Sequence, residues 1–197
     1  MGDWTEVSGF DFDDFIRVSM SLAGFGPVVS ELDGKPEQSN LAPRTSEESR
    51  FLEAVRAEVA RTRPGLNKGF RKTLSLTGKA VSGEIDFVGH HYVTCYAAVN
   101  PKGRASTRVQ TASAALWRLA RARDAFGFAA PSAIELTAWV PPRGMPIYSN
   151  ADYLVVDETI AELRAQAQRE ELEVFSVFDA PMACQRLVDL ETAVTQQ

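Results

Sequence analysis

The stretch Gly83-Glu84-Ile85-Asp86-Phe87-Val88-Gly89-His90-His91-Tyr92-Val93-Thr94-Cys95-Tyr96-Ala97-Ala98-Val99 decides the fold. Ile85 and Phe87 alternate with Glu84 and Asp86, the period of a strand with one apolar face. Gly89-His90-His91 is short and turn-like, so the chain reverses there. Tyr92 to Val99 is almost wholly apolar, which marks a strand covered on both faces and therefore central in its sheet.

Working outward, Leu74, Leu76 and Thr77 predict an earlier strand that turns at Gly78-Lys79, which makes the segment a three-strand meander. Before it, Ser46-Glu47-Glu48-Ser49 opens a helix by capping-box logic, Phe51, Leu52, Val55 and Val59 form its apolar stripe, and Pro64-Gly65 stops it. Asn100-Pro101-Lys102-Gly103 ends the central strand. Helical spacing returns from Ser106 to Phe126, with Val109, Ala112, Leu116, Leu119 and Ala120 on one face. Ser132 to Val140 alternates as a strand, broken by Pro141-Pro142-Arg143-Gly144. Asp157 is read as the cap of a helix carrying Ile160, Leu163 and Ala167 inward, Val174 to Phe178 as a short strand, and Pro181 as the start of a last helix through Cys184, Leu187, Val188 and Leu190. A further helix is expected at 11–24 and a loop at 26–43. The sequence thus predicts an arm over 1–45 and a single α/β domain over 46–197, with a mixed central sheet, an antiparallel meander at its start and helices on both faces.

The 197 residues, 45% apolar and 24% charged, have the balance of a soluble globular domain. A chain of this length buries roughly 70% of its unfolded surface without needing a staple from disulfides or metal. Cys95 and Cys184 lie in apolar stretches with no ligand spacing, and they are read as reduced core thiols of a cytoplasmic protein. No run has the length of a membrane span, so no membrane partner is expected. The net charge of −5 is unevenly spread: residues 1–60 carry 12 acids and 5 bases, residues 61–130 carry 3 and 12, and residues 131–197 carry 11 and 4. A basic middle between acidic flanks suits an anion-binding face, with Arg71, Lys72, Lys79, Lys102, Arg104 and Arg108 as candidate nucleic-acid contacts. Salt bridging of that middle to the flanks explains the same pattern. Trp117, Phe126 and Phe128 are read as packing residues.

The order of helix, meander, helix and strand, together with Gly83-Glu84-Ile85-Asp86 ahead of a tight turn, resembles the restriction-endonuclease-like, or PD-(D/E)xK, superfamily over about Ser46 to Phe178. The resemblance implies an Asp on the second core strand, matched by Asp86, and an acid-x-Lys pair on the third. Two carboxylates there would hold Mg²⁺ against a phosphate, and the lysine would stabilise the attacking water or the developing charge. The third strand reads Thr94-Cys95-Tyr96-Ala97-Ala98 and offers neither group.

Three functions follow as expectations. One is a nuclease-like protein without a complete catalytic set, acting by binding nucleic acid or a protein partner. Another is an active Mg²⁺-dependent nuclease with relocated residues: Asp86 with Glu84 as metal ligands and Lys102 as electrostatic aid, with Glu53, Glu58 and Gln110 as further substitutes. The remaining one is an oligomeric structural or interaction protein of phage or defence origin. Asp86 beside Gly89 also fits ordinary turn chemistry, Glu84 a solvent-facing strand position, and Lys102 an exposed loop. His90 and His91, the chain's only histidines, would need a distorted turn to share one ion, because successive strand side chains face opposite ways.

Overall fold

A computed structural model describes residues 46–76, 81–103, 105–127 and 130–193. The helix expected at 11–24, the loop at 26–43, Lys79, Arg104, Phe128 and the side chain of Arg108 lie outside the described residues. Helix α1 (Ser46–Thr62) is followed by a 3-10 turn over Pro64–Gly69 and by strands β1 (Phe70–Leu76), β2 (Val81–Val88) and β3 (Tyr92–Ala98). Then come α2 (Ala105–Phe126), β4 (Ala133–Trp139), α3 (Asn150–Arg169), β5 (Glu173–Val177) and α4 (Ala180–Thr192).

The five strands form one mixed open sheet in the order β1-β2-β3-β4-β5. The expected meander is present: β1 pairs antiparallel with β2, and β2 with β3, whereas β3, β4 and β5 run parallel. All of β3 is buried, as its apolar run requires. On one face Phe87, Tyr92 and Tyr96 cluster with Phe51, Leu52, Val55 and Val59 of α1 and with Ala183, Cys184, Leu187 and Val188 of α4. The alternate residues Val93, Cys95, Ala97, Leu136 and Ala138 are also buried, beneath α2 and α3, whose Ala112, Leu116, Leu119, Ile160 and Leu163 are inward. Cys95 and Cys184 are both buried. Among the described residues no helix is long and apolar enough to cross a membrane.

Two boundaries differ from the sequence reading. β1 begins at Phe70 rather than near Leu74, because buried Phe70 meets Phe87 edge to face at 5.1 Å, while Arg71-Lys72 hides the alternation. α3 begins at Asn150, not at Asp157. Ser149 caps it: its side chain accepts the Asp152 N–H, and the Asp152 carboxylate accepts the Ser149 N–H at 2.7 Å. Asp157 serves instead as the partner of Arg143, at 2.7 Å. The last helix starts as expected beside Pro181, with Asp179 accepting the Met182 N–H.

Candidate functional site

Asp86 sits where the sheet opens. The β2–β3 register contains Phe87 opposite Thr94 and Val88 opposite Val93. Further along β3, every second N–H still points toward β2, by the two-residue period of a strand. Buried N–H groups need acceptors, and carboxylates supply them here. Asp86 Oδ2 accepts the Tyr96 N–H at 2.7 Å, and Glu48 Oε1, from the first turn of α1, accepts the Ala98 N–H at 3.3 Å. Both acids are buried, Asp86 to 1% exposure and Glu48 to 4%. On its other side β2 pairs with β1 through Phe70–Phe87 and Lys72–Ile85, and between these rungs Arg71, facing Asp86 in that register, has a φ of 54°. A non-glycine residue in the left-handed region is strained, and here the strain lies directly across from the candidate acid.

Glu48 is the residue that sequence reasoning missed. Glu53 and Glu58 are on the outer part of α1 and pair with Arg71 and Arg61. The signal for Glu48 was its spacing: it precedes Leu52, Val55 and Val59 by steps of four, three and four, so an acid lies in the buried stripe.

The other candidates are held apart from this gap. Glu84 has an exposed side chain, and its backbone oxygen accepts from Arg118 Nη1 at 3.1 Å. Lys102 Nζ lies 5.6 Å over the Tyr148 ring, and its N–H donates to Asn100 Oδ1, whose side-chain amide in turn donates to both oxygens of Glu47. Gln110 is exposed on α2. The third-strand residue bonded to Asp86 is Tyr96. The Tyr96 hydroxyl is buried with no hydrogen-bond partner, and burial, then neighbouring Tyr92 and Asp86, push its phenol well above the ordinary range. Among the described residues no group of three or more His, Cys, Asp or Glu is placed to hold a metal ion.

The histidine turn has a different use. The backbone N–H groups of His90, His91 and Tyr92 converge on the Glu191 carboxylate of α4 at 3.1, 3.0 and 2.8 Å. Successive N–H groups make an anion-binding concavity. Gly89 is required at its rim, since an added Cβ would lie 2.0 Å from Glu191 Oε1.

A second polar cluster crosses the face under α4. Glu135, fully buried on β4, accepts Nε and Nη2 of Arg186 at 3.2 and 2.9 Å and the Tyr92 hydroxyl at 2.9 Å. An ionised carboxylate only accepts. Tyr92 therefore donates to Glu135, its oxygen lies 3.0 Å from Thr137 Oγ1, and Thr137 Oγ1 lies 2.8 Å from the hydroxyl of Thr94, which donates to the Cys95 carbonyl oxygen at 3.1 Å. Burial, then the charge of Glu135, pushes the Tyr92 phenol well above its ordinary range.

Much of the basic middle is paired. Arg71 bonds Glu53, and Arg123 bonds Asp124 and Glu171, while Lys72 is half-buried. Trp117 departs from the packing expectation: it is 40% exposed on α2, with the Arg121 guanidinium 5.5 Å over its ring. Phe126 is half-buried. Comparison with family models, with curated proteins and with solved structures found no match to this chain.

Proposed function

We propose that the chain is a restriction-endonuclease-like domain that has given up cleavage and works by binding nucleic acid. The observation that carries this reading is Asp86: the acid in the motif position accepts a backbone N–H of the neighbouring strand, 2.7 Å away. Thr94-Cys95-Tyr96-Ala97-Ala98, where the resemblance implies an acid-x-Lys pair, supplies neither a second carboxylate ligand nor an ammonium group. A hard cation prefers several oxygen ligands, and a phenol facing the α1–α4 core with a methyl group does not replace them. The basic residues of 61–130 supply the affinity, through phosphates, so binding falls steeply with salt.

The test is incubation of the full chain with labelled single- and double-stranded DNA and RNA, with and without Mg²⁺ or Mn²⁺, at low and moderate salt. Salt-sensitive retention without cleavage is expected. Absence of retention on every substrate overturns the reading and turns attention to a protein partner or to self-association.

One observation favours a second reading, a Mg²⁺-dependent nuclease with relocated ligands. Asp86 and Glu48 reach two successive β2-facing N–H groups of β3, so two carboxylates already border one gap. Divalent-dependent cleavage abolished by Asp86→Ala and by Glu48→Ala would establish it.

A further inference from the structure

Helix α2 is unusually basic for one that packs on a sheet: Arg108, Arg118, Arg121 and Arg123 stand against a single acid, Asp124. Its inward residues Ala112, Ala115, Leu116 and Leu119 are buried. Gln110, Trp117 and Arg121 project outward, seven and four residues apart, on one helical face. Trp117 is among the few large apolar side chains of the described residues that stay exposed, and the only aromatic residue of that set on a helix. Arg121 keeps a guanidinium over the indole, and its contact with Asp124 is a long 3.6 Å. Arg118, next in the chain, is anchored by Nη1 to the Glu84 oxygen, which ties the helix to β2 beside the gap.

An exposed indole flanked by cations has a definite complement. Bases offer a flat π face to the ring, and phosphates offer charge to the guanidinium groups. In a duplex those π faces are already stacked on neighbouring pairs, whereas in a single strand they are free. We infer that Trp117 is a stacking platform for an unpaired base of single-stranded nucleic acid, with Arg121 engaging the adjoining phosphate. This rests on the binding reading above and adds the strand type and the residue that selects it.

The probes are fluorescein-labelled oligo(dT) and a mixed-sequence DNA duplex, titrated into the full chain and followed by anisotropy and by tryptophan emission. Oligo(dT) is expected to quench emission in the wild type and not in Trp117→Phe, which retains only Trp4 and Trp139 as indoles. Trp117→Ala should weaken oligo(dT) binding about ten-fold or more, the scale of one lost base–aromatic stack, and leave duplex binding unchanged. Arg121→Gln should lower the salt dependence with a smaller loss. Circular dichroism confirms that the variants fold. Retention of oligo(dT) with no quenching and unchanged affinity in Trp117→Ala would overturn the stacking role and leave the binding reading intact. An equal loss on single strand and duplex would overturn the strand selectivity. Failure of the wild type to bind either probe would overturn the stacking role, and the binding reading falls with it only when single- and double-stranded RNA are not retained either.

Discussion

The Asp86 carboxylate and the Tyr96 N–H, 2.7 Å apart, close a gap where β2 and β3 part. A side chain here takes over what a backbone carbonyl does elsewhere in the ladder. Asp86→Ala leaves a buried N–H without this acceptor, and the loss should be about 1–3 kcal/mol. Asp86→Asn keeps an acceptor oxygen of similar reach and should cost less than half of that. Urea unfolding of the two variants checks the order. Equal destabilisation by both would show that the charge, and not the acceptor, is what the position needs.

The contact between Gly89 and Glu191 makes a coupled pair. Glu191 is the far end of a flexible side chain, but three N–H groups fix its carboxylate, so a Cβ at position 89 must break that set to fit. Gly89→Ala should therefore destabilise by about 2 kcal/mol, and so should Glu191→Ala, which takes the acceptor from one buried and two part-buried donors. In the double variant the two losses should not add, because the first removes what the second disturbs. A thermal or urea double-mutant cycle with additive losses would separate the glycine from the nest.

The meander, the central strand and the core stripes were legible because each rests on local periodicity: Ile85 and Phe87 alternate, and Phe51, Leu52, Val55 and Val59 follow helical spacing. The cap of α3 was missed because Ser149-x-x-Asp152 stands behind a proline-rich run, while Asp157 offered a more conspicuous acid that the fold spends on Arg143. At the candidate site only Asp86 was legible. Glu48 and Glu191 act on backbone groups fifty and about a hundred residues away, and no local pattern records such a pairing. Glu135 is the plainest case: alternation gives a strand residue with no assigned partner, and it is fully buried because α4 brings Arg186 back to it.

Arg71 offers a backbone test beside Asp86. Its φ of 54° lies in the region that a Cβ disfavours, and its ion pair with Glu53 is half exposed, so the pair contributes little. Arg71→Gly should be more stable than Arg71→Ala by about 1 kcal/mol, the usual left-handed penalty of a side chain. The comparison removes the ion pair from both variants and leaves only the backbone difference. If alanine equals glycine in denaturant midpoint, the strain is absent in solution.

The buried phenols should make stability fall at alkaline pH. Tyr92 and Tyr96 both have their ionisation pushed well above the ordinary phenol range, by burial first and then by Glu135 for Tyr92 and by Tyr92 and Asp86 for Tyr96. The folded state therefore keeps protons that the unfolded state releases once the pH passes about 10, the free phenol value. Since the folded form then binds more protons, stability is fully present below that pH and falls above it, by about 1.4 kcal/mol per pH unit for each phenol. Tyr96→Phe removes one of these contributions together with a hydroxyl that has no partner, so it should flatten the decline and cost little at neutral pH. Tyr92→Phe should flatten it equally but cost about 1–2 kcal/mol at pH 7, because Glu135 and Thr137 lose a buried hydrogen bond. Unfolding midpoints from pH 7 to pH 11 measure both effects. An unchanged alkaline slope in Tyr96→Phe would mean that its hydroxyl reaches water, and an equal neutral-pH cost for the two variants would mean that the Tyr92 hydroxyl chain adds nothing to the bond between α4 and the sheet.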